Sequence, residues 1–236
     1  IRPDDMVVLE LSSFQLMTVR QSPGIAVVTN LAPNHLDVHK DMDEYVEAKR
    51  NIFAYQDACD RLVLNADNDL TAGFAKQARG AVTLFSRKKP VEGGVYLREK
   101  TVMCGGRPVL TVDDILLPGL HNLENYMAAI AAVDGLVPDE VIRDFARVFG
   151  GVEHRIELVR ELDGVRYYND SIASSPSRTI AGLRSFDQRV ILIAGGYDKH
   201  IPYDALGPEI VRSVKALVLT GDTAEKIKAA ALAAPG

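Results

Sequence analysis

Cysteine is scarce in this 236-residue chain, and its two copies, Cys59 and Cys104, have neither CxxC spacing nor histidine neighbours. They supply neither a zinc site nor a disulfide framework, which points to a reducing, cytoplasmic setting. No uncharged apolar run approaches the roughly 20 residues that a membrane-spanning helix needs, so no such helix is expected. A basic surplus is missing too: 27 Lys and Arg against 32 Asp and Glu leave a formal net charge of −5. Nothing is left over to neutralise a phosphate backbone, and nucleic acid is not expected as a partner. GxxxxGK followed by Ser or Thr occurs nowhere, so the chain carries no phosphate loop. The opening IRPDDMVVLELSSF has no initiator methionine and no charged segment leading into an apolar one, so it does not read as a secretory start.

What is present is ordinary globular material, 47% apolar and 25% charged, long enough for one large domain or two modest ones. Strand-like runs at Met6 to Leu9, Ile25 to Asn30, Arg61 to Leu64 and Val82 to Phe85 alternate with helical patterns, the spacing of βα units in a parallel sheet. Met6 to Leu9 reads as a fully buried strand, with neighbours expected to precede residue 1. In YVEAKRNIFAYQDAC, Tyr45, Ala48, Ile52 and Tyr55 form an amphipathic stripe, which predicts one continuous helix. Between Val91 and Leu116 the glycine pairs 93–94 and 105–106 break short runs into antiparallel hairpins sharing the same sheet. Helices follow over Asn122 to Val133 and Pro138 to Phe149, closing at Gly150-Gly151, where the domain boundary is placed: 1–151 and 152–236. The second unit reads as a hairpin around Asp163-Gly164, then helix, strand, helix, strand and a last helix ending at Pro235. Further βα units are expected beyond it.

In open parallel sheets ligands bind beyond the carboxyl ends of strands, so polar residues there are candidates. Glu10 ends an apolar run, and a strand-end carboxylate that simply reaches solvent is the competing reading. TNLAPNHLDVH gathers Asn30, His35, Asp37 and His39 in one loop; carboxylates with an imidazole and no thiolate suit Mg²⁺ or Mn²⁺ better than zinc, whereas loop histidines are also common surface residues and caps. Lys49 lies on the next helix, where a solvated lysine is the plain alternative. Asn122 and Asn125, spaced i and i+3, can present their amides on one face, or cap the helix and face water. Asp170 ends YYND as a strand-end acid or an Asx turn. AGGYDK follows the strand VILI, with a glycine pair that admits an anion close to the backbone and Lys199 to offer charge.

In order along nearly the whole chain, VLELSSFQL, TNLAPNHLDVH, YVEAK, GLHNLENYMAA, EHRIE and YNDSIASSP resemble the Mur ligases, ATP-dependent amide-forming enzymes of peptidoglycan precursor synthesis. The first and last of these phrases resemble the members that join D-glutamate to UDP-N-acetylmuramoyl-L-alanine. The resemblance implies a magnesium site of Glu10, His35 and Lys49, with the lysine carbamylated by CO₂. It places Ser12 beside the metal-site glutamate, Asn122 and Asn125 around the adenine of ATP, Arg155 and Asp170 on ATP from the last domain, and Ser174 and Lys199 near the incoming glutamate, with Lys199 orienting it for catalysis. Ile172 departs from those members that carry a lysine there, and with it goes one carboxylate contact that the resemblance implies. The family fold has three domains, and here the N-terminal one and the phosphate loop are absent. The implied architecture is a partial central ATPase-type parallel sheet with an antiparallel hairpin region, followed by a partial Rossmann-like domain, acting as a monomer. Folylpolyglutamate synthase, which shares the fold, and a nucleotide-binding module without turnover are the alternatives.

Overall fold

The computed structural model describes residues 1–2, 4–32 and 39–235. Three apolar runs become parallel neighbours, β1 (Ile25–Val28), β2 (Arg61–Asn65) and β3 (Ala81–Ser86). β4 (Val95–Arg98) joins β3 in parallel, and β5 (Thr101–Cys104) and β6 (Arg107–Thr111) extend the sheet antiparallel. Sheet and hairpins form one six-stranded layer in sequence order, as the glycine-broken texture indicates.

Alternation across the pleat sends Leu62 and Leu64 to one face and Val63 to the other; all three are fully buried. A strand covered on both sides needs an unbroken apolar run, which is what β2 has. On the leucine face pack Tyr45 of α2 (Met42–Arg50), Phe53 in the turns after it and Phe74, which follows α3 (Asp69–Gly73); α1 (Ser13–Thr18) lies against α2. On the valine face lie Leu123, Met127, Ile130 and Ala131 of α4 (Leu120–Val133) and Ala146 of α5 (Asp139–Val148). Arg61 fixes the end of α4 by donating from Nη1 to the Asp134 carbonyl at 3.0 Å, a cation at a helix C-terminus.

Two expectations fail here. Met6 to Leu9 is not a strand: it pairs with nothing among the described residues, and Val8 is 91% exposed. Strand propensity is realised only against a partner, and among the described residues β1 bonds β2 and no other strand. The helix through Tyr55 also stops early, at Arg50, because the Asn51 N–H turns to the Ala48 and Lys49 carbonyls while its side chain donates to the Leu16 carbonyl at 3.0 Å. Ile52 and Tyr55 fall in the turns that follow.

In the second half, β7 (Glu157–Leu162) and β8 (Val165–Asn169) form the expected hairpin. Its turn has positive φ at both Asp163 and Gly164, the requirement of a tight two-residue loop. α6 (Pro176–Leu183), β9 (Val190–Gly195), α7 (Leu206–Ser213), β10 (Val214–Thr220) and α8 (Ala224–Ala233) follow. β9 and β10 are parallel, and Leu183, Leu206, Ile210 and Ile227 fill the space between them and the helices.

Glu209, on α7, is buried yet charged. It accepts from Arg184 Nε and Ser213 Oγ, each at 2.7 Å, and from Arg212 Nε at 3.1 Å. Burial pushes its carboxyl up, but the bonds from Ser213, Arg212 and Arg184 together outweigh burial and hold it below the usual range. A depressed carboxylate stabilises the fold above its unfolded pKa of about 4.3 and loses that contribution as pH falls through the folded value. Glu209→Gln is therefore expected to cost about 1–3 kcal/mol at pH 7, with the gap to wild type closing in acid. Urea titrations at both pH values check this, and a gap independent of pH contradicts it.

Candidate functional site

Ser12 caps α1 in a reciprocal box: the Gln15 N–H donates to Ser12 Oγ at 3.3 Å, and the Gln15 side-chain oxygen accepts from the Ser12 N–H at 2.8 Å. The box fixes the course of residues 10–12. α2 is capped by Asp41, has Asp43 and Glu44 in its first turn, and carries Lys49 and Arg50 in its last, a charge order that suits the helix dipole. His39 fastens the two helices. It is buried, with Nε2 2.8 Å from Ser13 Oγ and its ring stacked on Phe14 at 5.1 Å and edge-on to Tyr45 at 5.4 Å. Lys49 is thereby delivered to the residues before α1, and its Nζ donates to the Leu11 carbonyl at 3.3 Å.

Glu10, Ser12, Ser13, Tyr45 and Lys49 line a cleft of about 320 Å³ that Arg178 of α6 also lines. Burial pushes the Lys49 ammonium below its ordinary value; Glu10 opposes this and Arg178 adds to it. Burial raises the Tyr45 hydroxyl, partly offset by Arg178. A larger hollow of about 450 Å³ lies elsewhere, against Arg107, but that guanidinium is already engaged by Asp134 at 2.7 Å and Asp139 at 2.8 Å. The smaller cleft is the one with chemistry.

Its donor set can be tested against a hard cation. Glu10 offers carboxylate oxygens; an ammonium at Lys49 repels a cation, whereas a carbamate there adds oxygen donors of the right kind. His35 and Asp37 lie outside the described residues. Among those described, no group of three or more His, Cys, Asp and Glu side chains could hold a metal, and Glu10 is the one carboxylate among the described residues that line the cleft. Of the same loop, His39 is spent on joining helices, and Asn30 Oδ1 accepts from Asn68 Nδ2 at 2.7 Å.

The other candidates fall into smaller groups. Ser174 Oγ accepts from Lys199 Nζ at 3.0 Å, so two residues far apart in sequence meet. Asp170 accepts from the Ile156 N–H at 3.1 Å; burial raises its carboxyl, against that bond and the charges of Arg155 and Arg178. Arg155 also acts on His121, at the start of α4, whose imidazole is lowered first by burial and then by this charge. There Asn122 donates to the Pro118 carbonyl at 2.7 Å, holding the entering loop, while Gly119 takes the cap position and Asn125 is exposed. The two amides do not share partners. Arg178 and His121 escaped the sequence reading: His121 is legible only beside the asparagines, and Arg178 has no periodic signal at all.

Residues 3–133 match the Mur ligase middle domain, and residues 154–235 match the Mur ligase, glutamate ligase domain. The chain is 61% identical over 232 residues to the UDP-N-acetylmuramoylalanine–D-glutamate ligase of Acetivibrio thermocellus, and 57% identical over 228 residues to that of Clostridium novyi. Each comparison covers 97% of this chain and 50% of the relative, so the chain spans about half the length of the curated relatives it matches. Among solved structures, MurF of Acinetobacter baumannii is similar with a TM-score of 0.74 at 18% identity, covering 90% of this chain and 50% of that one. MurC of Thermotoga maritima is similar with a TM-score of 0.68 at 19% identity, covering 94% and 52%. These two likenesses concern the fold.

Proposed function

Because this chain belongs to the Mur ligase family, we propose that it carries the middle and C-terminal parts, 1–151 and 152–236, of a ligase that joins D-glutamate to UDP-N-acetylmuramoyl-L-alanine through an acyl phosphate. The relatives at 61% and 57% identity are named for that reaction. The observation that carries the reading is the delivery of Lys49 to Glu10 and Ser12 in one cleft. The enzyme is proposed to work as a monomer in the cytoplasm; among the described residues no helix is long and apolar enough to cross a membrane.

The γ-phosphoryl group of ATP passes to an oxygen of the L-alanyl carboxylate, releasing ADP. The amine of D-glutamate then attacks the acyl carbon, the bond from carbon to the phosphate-bearing oxygen breaks, and phosphate and one proton leave. Such transfers need charge neutralisation and positioning rather than covalent help. Glu10, His35 and carbamylated Lys49 would hold Mg²⁺, which when bound neutralises the charge of the transferring group. A lysine whose ammonium is disfavoured has more of the neutral amine that adds CO₂, losing a proton to become the carbamate. Ser12 holds its capped loop at the substrate edge of the cleft. Asn122 and Asn125 are assigned to the adenine side, with Asn122 acting by shaping the loop before α4; Arg155 and Asp170 are assigned to ATP. Lys199, hydrogen-bonded to Ser174, orients the glutamate.

The test is phosphate release by a full-length ligase containing this sequence, given ATP, Mg²⁺ and UDP-N-acetylmuramoyl-L-alanine. Release is expected with D-glutamate and not with L-glutamate. Release only with another amino acid, or with none, contradicts the assignment.

A further inference from the structure

We propose that Arg178 binds a carboxylate of the incoming amino acid and is a specificity-determining residue of the reaction; this rests on the function proposed above. Arg178 lines the cleft with Glu10, Tyr45 and Lys49. Its Nη1 donates to the Ile172 carbonyl at 3.3 Å, and among the described residues no carboxylate stands within ion-pair distance of it. A guanidinium has five N–H donors in a planar fork, and among the described residues most of this one is left without a protein acceptor. Its charge acts on Lys49, Tyr45 and Asp170.

The same short loop selects the anion. Arg178 grips the carbonyl of Ile172, and Lys199 grips the hydroxyl of Ser174 two residues on. Two cations tied to one loop match an amino acid with two carboxylates, and the guanidinium fork matches carboxylate geometry in two parallel bonds. Ile172, 43% exposed, brings no charge of its own, so Arg178 supplies the positive group at that place.

The experiment uses a full-length ligase containing this sequence and compares wild type, Arg178→Gln, Arg178→Lys and the double variant Arg178→Gln with Ile172→Lys. KM is measured for D-glutamate and for ATP, with the melting temperature as a check on folding. The glutamine variant is expected to raise KM for D-glutamate about tenfold to a hundredfold, the weight of a charged hydrogen bond, while KM for ATP stays within about twofold. The double variant is expected to recover part of the loss, because a lysine at 172 restores charge to the same loop. Where Arg178→Gln is inactive, Arg178→Lys carries the test and is expected to raise the same KM by a smaller factor. An unchanged KM for D-glutamate, or an equal rise in KM for ATP, overturns the inference. A wild type that releases no phosphate with D-glutamate overturns the parent function, and this inference falls with it.

Discussion

Replacing Lys49 by alanine is expected to lower kcat by on the order of a thousandfold, the scale seen when one preorganised charge partner is removed from a transition state. In the proposed function the lysine would change sign on reaction with CO₂, from a cation that repels Mg²⁺ to a carbamate that would ligate it. Its Nζ is held by the Leu11 carbonyl at 3.3 Å, and its burial already disfavours the ammonium. Alanine removes the donor oxygens but leaves α2 intact, because alanine is a good helix former and the packing of this helix rests on Tyr45 and Ala48. Melting temperature should therefore hold while turnover collapses. An added short carboxylate such as formate, entering the vacated space, is expected to restore part of the rate. Full activity in the alanine variant would remove Lys49 from the site.

The second large effect is on stability. Gly195 ends β9 at φ +140°, and a Cβ built there would stand 1.6 Å from the Thr220 carbonyl oxygen. That oxygen sits in the backbone of β10 and cannot swing aside, so Gly195→Ala must separate the strand ends. A loss of about 3–5 kcal/mol is expected, strain and collision together. Gly196 is the internal control: its φ is +136°, but a Cβ there meets nothing within 4 Å, so Gly196→Ala carries strain without collision, about 1–3 kcal/mol. Urea unfolding of the two variants separates the contributions, and equal losses would contradict this account. Of the glycine pair read from the sequence as room for an anion, Gly195 thus serves first to let β9 approach β10.

Much of the fold was legible because its signals are local. Leu62 to Leu64 announce a strand buried on both faces, and Asp163-Gly164 announces a turn that needs two positive φ values. Met6 to Leu9 misled because its propensity has no partner to act on. The end of α2 was hidden because a side chain, Asn51, reaches across to Leu16 rather than obeying its own helix. At the site, spacing could nominate Glu10, His35 and Lys49 only as competing readings beside solvated ones; the family resemblance gave them roles, and the fold gave Glu10 and Lys49 a shared cleft. Arg178 was invisible for a physical reason: it sits 129 positions after Lys49 in the chain, and only tertiary packing brings the two together.

This cleft is proposed to serve amide formation through an acyl phosphate. The most direct measurement labels the L-alanyl carboxylate of the acceptor substrate with heavy oxygen and follows the label by mass spectrometry during turnover with D-glutamate. The mechanism predicts one labelled oxygen in the released phosphate for each amide formed. Amide formed with unlabelled phosphate would contradict it, because the carboxylate oxygen would then have left by another route.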